Sequence, residues 1–269
     1  MTTKIVIAGA AGRMGQALVR CAQKADGIEL VGATEHDKHE SLGSDVGTLA
    51  GIDPVGIKLI SDLREAMELA DVVIDFTFHE VVPVNAKLAA EMGRALVIGT
   101  TALTDEETAV VERAADKVPI VWAPNMSLGV NLLFAFSQRA AAVLGSGYKV
   151  AIDDTHHIHK LDAPSGTALR LGEKVADGAG VNFNDVYIHD EGGKQDSYPA
   201  GSIPIRSFRE GEVVGDHTVS FENAGERIEL THNAYSRDAF AMGALHAAKW
   251  VSTSRPRIYD MQDVLGLKA

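Results

Sequence analysis

The chain is short of cysteine, of basic charge and of long apolar runs, and each shortage excludes something. Its single cysteine, Cys21, leaves no partner for an intramolecular disulfide and no basis for a Cys-rich zinc module. Cys21 falls in a helical stretch and reads as a small buried hydrophobe, not a reactive thiol. Lys and Arg number 25 against 37 Asp and Glu, a formal charge of −12 over 269 residues. So acidic a chain repels extended polyanions, which excludes nucleic acid and an anionic membrane as partners. A small carboxylate or phosphate can still be gripped by a few local basic groups. No uninterrupted stretch approaches the roughly 18 apolar residues that span a bilayer. The apolar start, Ile5 to Ala8, meets glycines and Arg13 too soon for a signal peptide. The expectation is a cytoplasmic protein, with hydrophobic residues at 46% sufficient for one large core or two modest ones.

What is present is a regular alternation. Lys4 to Ala8 reads as a buried strand, followed by glycines and a helix over Met14 to Lys24. Further strands are expected at Ile28–Thr34, Val72–Phe76, Ala95–Gly99 and Val118–Trp122, with helices at Val84–Met92 and Thr104–Ala115. Ser61 is placed to cap a short helix beginning at Asp62. Continuously apolar strands alternating with helices argue for a doubly wound, Rossmann-like parallel α/β sheet. After Asn125 the character changes. A long apolar helix (Leu128–Leu144), a strand (Lys149–Asp154) and a helix (Thr167–Ala176) are followed by loops over 177–202. Between Ile203 and His232 the pattern turns strand-like with glycine-containing turns, which points to a second α+β domain with a mixed or antiparallel sheet. Ser236–Val251 reads as a closing helix. The expected division is a dinucleotide-binding domain over 1–126, a substrate and oligomerisation domain over 127–237, and a segment, 238–269, returning to the first.

The first strand runs into Gly9-Ala10-Ala11-Gly12-Arg13-Met14-Gly15 and then a helix. Glycines permit the tight turn and let backbone amides approach a pyrophosphate at the positive end of the helix. Ala11 stands where the commoner fingerprint has its second glycine, which tightens the approach. Glu35 closes the second strand about 20 residues on, where an acid hydrogen-bonds the adenosine ribose. Gly99-Thr100-Thr101 and Ala123-Pro124-Asn125-Met126 end the fourth and fifth strands, on the side where ligands bind in such sheets. Taken alone, those two segments are ordinary βα loops.

The densest chemistry lies in His156-His157-Ile158-His159-Lys160-Leu161-Asp162-Ala163-Pro164-Ser165-Gly166-Thr167. A zinc site lacks a cysteine or clear partner acid to complete a familiar ligand set, so no metal is expected. A solvated His-rich loop is the bland alternative. An acid–base centre is the third reading. Histidine titrates near neutrality, lysine among cations can give up a proton, and Ser165, Gly166 and Thr167 stand where a helix start would hold a carboxylate. The hydride cofactor inferred from the glycine loop favours the third. His217 and His232 sit in strand-like segments and read as structural.

The segments GAAGRMG, VIDFT, VIGTT, GERIELTHNAYSR and above all HHIHKLDAPSGTA resemble the dihydrodipicolinate reductase (4-hydroxy-tetrahydrodipicolinate reductase) family, over nearly the whole chain. The resemblance implies reduction of an unsaturated cyclic dicarboxylate with NADH or NADPH in lysine and diaminopimelate biosynthesis. It makes His156 the proton donor or acceptor and Lys160 the proton donor, with His157, Ser165, Gly166, Thr167 and Arg237 on the substrate carboxylates. It assigns the cofactor to Gly9–Met14, Glu35, His36, Gly99–Thr101 and Ala123–Met126. It also implies a homotetramer assembled through the second domain's sheet and a hinge that closes over substrate. One departure stands out: His36, followed by Asp37 and Lys38, replaces the arginine some relatives carry for the 2′-phosphate of NADPH. Met126 and the pair Phe78-His79 also differ from the expected pattern. Two rivals remain: another two-domain dehydrogenase, which gives HHIHK no reason to precede APSGT, and a dinucleotide-binding regulator, which has no need of proton donors.

Overall fold

The computed structural model describes residues 2–268. The chain forms two compact units, one from residues up to 128 together with those from 237 on, the other Gly129–Ser236. The first unit starts with β1 (Thr3–Ala8), α1 (Arg13–Ala22), β2 (Ile28–Thr34), α2 (Val46–Leu49), β3 (Leu59–Ile60) and α3 (Leu63–Ala66). It continues with β4 (Val72–Asp75), α4 (Val82–Met92), β5 (Ala95–Ile98), α5 (Asp105–Ala115) and β6 (Pro119–Trp122). The chain then builds the second unit from α6 (Leu128–Leu144), β7 (Lys149–His156), α7 (Gly166–Ala179), α8 (Phe183–Val186), β8 (Tyr187–Glu191), β9 (Ile203–Arg209), β10 (Gly215–Glu222) and β11 (Arg227–Ala234). It returns to the first unit with α9 (Asp238–Val251), β12 (Arg257–Tyr259) and α10 (Met261–Val264).

In the first unit seven parallel strands run in the order β12-β6-β5-β4-β1-β2-β3. Successive side chains of a strand point to opposite faces, and here both faces are apolar. Ile5, Ile7, Ile74, Val97 and Val121 pack toward Leu18 and Val19 of α1 and Ala244, Leu245 and Ala248 of α9. Val73, Leu96, Ile98 and Ile120 pack toward Val82, Ala86 and Ala89 of α4 and Val111 and Ala114 of α5. Each such side chain contributes about 1.5–3 kcal/mol by leaving water. The strand order reverses between β1 and β4, and a crevice opens beyond the carboxyl ends of strands at such a switch point.

The second unit's five strands run β11-β10-β7-β9-β8, antiparallel for β11-β10-β7 and parallel for β7-β9-β8. Ile152, Ile205, Val219 and Phe221 of the sheet pack with Val130, Leu133 and Phe134 of α6 and Leu171 and Val175 of α7. The doubly wound parallel sheet and the mixed second sheet are the architecture expected from the pattern.

Several details differ from the expectation. Asp62, not Ser61, caps α3, accepting from the amides of Arg64 and Glu65; its carboxylate sits one residue closer to the turn. β3 and β12 went unread because two and three residues are too short to carry a period. β8 lies inside the segment read as loops, where parallel pairing with β9 overrides a Gly- and Asp-rich composition. Residues 128–147 are long and apolar enough, by length and composition, to cross a membrane, which a count of unbroken apolar residues misses. Polar Asn131, Gln138 and Arg139 interrupt that stretch, and Val130, Leu133, Phe134 and Ala141 are buried in the second unit's core.

α9 passes close to the connection that follows β6 at a glycine. A Cβ at Gly243 would lie 1.8 Å from the carbonyl oxygen of Met126, a backbone atom that cannot move aside. Gly243→Ala is expected to cost about 3 kcal/mol and to lower the melting temperature by several degrees; an unchanged melt would show that α9 docks otherwise.

Candidate active site

In the first unit, β1 ends in a turn that only glycine suits. Gly9 has φ +75°, in the left-handed region, and its amide and that of Ala10 both donate to the carbonyl of Thr34. Gly12, extended at φ −70° and ψ 168°, is the N-cap of α1 and brings no side-chain cap. Gly15 packs so closely that a Cβ would fall 2.2 Å from the Gly9 carbonyl oxygen. The amides of the first helical turn, Arg13, Met14 and Gly15, have no acceptor within the helix and carry its positive pole. They border a cavity of about 500 Å³ lined also by Glu35, His36, Phe76, Thr77, Phe78 and Arg237. Glycine cradle, helix pole and an acid at the end of β2 suit a dinucleotide.

A buried network fixes the neighbouring strand ends. Asp75, with no exposed surface, accepts from the Thr77 amide (2.8 Å), Thr77 Oγ1 (2.6 Å) and Asn85 Nδ2 (2.8 Å). Burial pushes its carboxyl above the usual range despite these donors. The Thr77 carbonyl accepts Thr100 Oγ1 at 2.8 Å, and the Thr100 carbonyl accepts Trp122 Nε1 at 3.2 Å. This chain ties together the ends of β4, β5 and β6. No role for Asp75, Thr77 or Asn85 was read from the sequence, although a lone Asp in the apolar run VVIDF is a signal.

The other cofactor residues fall in two groups. Thr100, Thr101 and Pro124 line a recess of about 270 Å³ in the same unit. The Phe76 ring lies against Gly99, where a Cβ would come within 2.1 Å of it. Ala123 and Met126 are buried in the core, so the Met126 thioether is not at the surface to cover a ligand; Asn125 Oδ1 accepts the Ser127 amide. Arg237 belongs to the first unit and lines its glycine-loop cavity.

The second unit assembles the His–Lys segment around Asp154. Asp154 and His156 are two apart on β7 and share a face, and His217 lies directly opposite Asp154 on β10. Asp154 is fully buried. Its Oδ2 accepts the Ser165 amide (2.8 Å) and its Oδ1 the Ser165 hydroxyl (2.7 Å). The Nε2 atoms of His156 and His217 lie 3.1 and 3.2 Å from Oδ1. Burial alone would raise this carboxyl; donors from His156, His217 and Ser165 outweigh it and hold the group far below the usual carboxylate range. His156 Nδ1 faces the Val214 carbonyl at 3.0 Å, so that nitrogen carries a proton. Its Nε2 is enclosed and sits off the line of a hydrogen bond to Asp154.

Ser165 is also the N-cap of α7, its hydroxyl accepting the Ala168 amide at 3.1 Å. Gly166 and Thr167 start the helix, and the space beside the Gly166 Cα is open for 4 Å. Lys160 Nζ reaches both oxygens of Asp162 at 2.8 and 2.7 Å, and Lys160 in turn depresses the Asp162 carboxyl. Arg209 clamps this loop, donating to the carbonyls of Lys160 (3.2 Å) and Asp162 (2.6 Å). His157 and His159 lie beyond the strand with ring centroids 6.1 Å apart. Asp154, His217 and Arg209 went unread as a set because the strand was expected to stop at Asp154, which hid the shared face.

Residues 3–126 match the family described as dihydrodipicolinate reductase, N-terminus, and residues 129–265 match dihydrodipicolinate reductase, C-terminus. The chain belongs to the dihydrodipicolinate reductase family. Among its relatives is a 4-hydroxy-tetrahydrodipicolinate reductase of Anaeromyxobacter dehalogenans (strain 2CP-1 / ATCC BAA-258), 48% identical over 266 residues, covering 99% of this chain and 98% of the other. A reductase of the same name from Alkalilimnicola ehrlichii is 45% identical over 267 residues, 99% and 100% of the two chains. The dipicolinate-bound dihydrodipicolinate reductase from Paenisporosarcina sp. TG-14 superposes with TM-score 0.76 at 26% identity, over 98% of this chain and 99% of that one. An amine dehydrogenase from Mycobacterium smegmatis (TM-score 0.60, 15% identity, 96% and 94% covered) shares the fold alone. A dihydrodipicolinate reductase is an oxidoreductase that uses a nicotinamide cofactor, and the glycine cradle of the first unit suits one.

Of the pair Phe78-His79, the structure explains the second residue and not the first. Phe78 is 80% exposed at the cavity's edge. His79 Nδ1 meets Glu107 Oε2 at 2.9 Å, and the same oxygen accepts the Thr104 amide in the capping box of α5. The Glu107 hydrogen bond and charge hold the His79 imidazole above its usual value. A raised folded-state value means that the link stabilises fully below about pH 6.5 and fades as pH rises through the raised value. His79→Gln is therefore expected to melt below wild type at about pH 6 and level with it at about pH 9. A deficit of equal size at both would exclude the ion pair as its cause.

Proposed function

We propose that the chain catalyses the NADH- or NADPH-dependent reduction of 4-hydroxy-tetrahydrodipicolinate to tetrahydrodipicolinate, the diaminopimelate-pathway reaction named by its relatives. The observation that carries this is the convergence, around one buried carboxylate, of the His156 imidazole and the capped first turn of α7. A small dicarboxylate needs a cationic or amide-lined seat, and the reduced ring needs a proton.

A bound nicotinamide supplies hydride to such a substrate. Gly9, Ala10, Ala11, Gly12, Arg13 and Met14 would hold its pyrophosphate by backbone amides, Glu35 its ribose, and Gly99–Thr101 with Ala123–Met126 the strand ends beside it. In the second unit, the Gly166 and Thr167 turn, His157 and Lys160 would hold the carboxylates; Ser165, expected from the sequence to join them, spends its amide and hydroxyl on Asp154 and instead fixes that turn. A substrate carboxylate would compete with Asp162 for Lys160, so binding would free that ammonium to serve as donor. His156 would act as the proton donor or acceptor, its ring held in place by the Val214 carbonyl at Nδ1. Arg237 is proposed as a further substrate contact. The partners implied are this small molecule and copies of the same chain, in a homotetramer built through the five-stranded sheet, in the cytoplasm.

His156→Gln and Lys160→Met are each expected to lower kcat by roughly 10²-fold while cofactor affinity stays within about twofold. Near-normal turnover in either variant, in a steady-state assay of reduced-dinucleotide loss, would refute that residue's role. For the cofactor, His36 Nδ1 accepts the Lys38 amide at 3.3 Å, which leaves the ring one N–H at Nε2 and no bidentate fork for a 2′-phosphate. The Asp37 carboxylate alongside disfavours added negative charge. The expected kcat/KM with NADH equals or exceeds that with NADPH; a preference for NADPH of about tenfold or more would overturn this reading of His36.

A further inference from the structure

Asp154 and His217 occupy positions in the sheet that nearby residues fill with Ile152, Ile205 and Val219. A buried polar pair there is no more stabilising than well-packed apolar side chains of the same volume. Its placement is nevertheless specific. Gly215 leaves room for the His156 ring, since a Cβ would fall 2.8 Å from its Cε1. The Val214 carbonyl takes Nδ1 at 3.0 Å, and the His217 ring stands edge-on at 5.3 Å between centroids. The Ser165 hydroxyl lies 2.7 Å from Asp154 Oδ1 and 3.2 Å from His217 Nε2 while capping α7. One carboxylate thus touches both the imidazole assigned to proton delivery and the turn assigned to carboxylate binding.

We propose that Asp154 and His217 are positioning residues: together they lock the His156 ring and the Ser165 cap into a single unit, so that proton donor and anion seat keep one fixed geometry. Neither is proposed to meet the substrate. The proposal rests on the function assigned above to His156, and it acts through that residue. The Nε2 atoms of two imidazoles face Asp154 Oδ1, and the Ser165 amide and hydroxyl donate to Oδ2 and Oδ1. Removing the carboxylate takes away the group that both Nε2 atoms face and frees the Ser165 hydroxyl from Oδ1.

The test is a double-mutant cycle on the full chain, with Asp154→Asn and His217→Gln each made alone and combined with His156→Gln. Each single variant is expected to lower kcat by roughly tenfold or more with cofactor affinity unchanged, and to add less than about twofold in the His156→Gln background. Losses that multiply would mean that both residues act independently of His156, and the proposal would fall. A second readout does not depend on activity. The ¹⁵N-edited spectrum of wild type should show a slowly exchanging ring N–H at His156 Nδ1, assigned by its absence from His156→Gln. That signal should broaden or vanish in Asp154→Asn and His217→Gln while each still melts cooperatively. Its survival in both variants would overturn the proposal even if turnover had dropped. If His156→Gln turned over normally, the functional reading of His156 would fail, and the spectrum would still decide whether Asp154 and His217 hold the ring. Should Asp154→Asn not fold, His217→Gln, which keeps a polar amide on β10, carries both measurements.

Discussion

A carboxylate with no exposed surface, placed in a sheet beside isoleucine and valine, must be met by donors or it cannot stay charged. Asp154 imposes that condition on the second unit, and the chain meets it with groups drawn from three places: His156 on its own strand, His217 across the sheet, and Ser165 at the start of α7. None is adjacent in sequence to Asp154. Burial pushes that carboxyl up, and hydrogen bonds from His156, His217 and Ser165 outweigh it and hold the group below the usual carboxylate range. Because Ser165 also caps α7, the electrostatics of the strand and the start of the helix are one problem with one solution.

The first unit handles negative charge differently, by withholding side chains. Gly9, Gly12 and Gly15 bring backbone so close that any Cβ at the last would strike a carbonyl, and the positive pole of α1 points into the cavity. A fixed backbone surface suits a pyrophosphate, which is invariant whatever the substrate. The second unit instead meets charge with side chains, whose hydrogen bonds fix position as well as sign. The sharing of the fold with a dehydrogenase of 15% identity fits this division, since architecture alone selects no substrate.

Within the first unit, the Asp75–Thr77–Thr100–Trp122 chain uses no catalytic chemistry. It fixes the carboxyl ends of three parallel strands by satisfying one buried acid and two carbonyls. Loops at strand ends are ordinarily the least restrained parts of such a sheet, so a polar network is stationed where a ligand-facing edge would otherwise be soft.

Local signals were legible in the sequence. The glycine loop between strand and helix, the helix over Thr104–Ala115, the apolar strands of a doubly covered sheet and the Ser165 helix start each depend on residues within a few positions of one another. The HHIHK–APSGT segment was legible for the same reason: its chemistry is contiguous. Tertiary structure alone decided the pairing of Asp154 with His217, the threading of β12 onto β6, the clamp of Arg209 on the Lys160 loop and the placing of Arg237 beside the glycine loop. These depend on strand register and chain return, where residues tens of positions apart meet. A register is set by the packing of whole faces, and no short window of sequence carries that information.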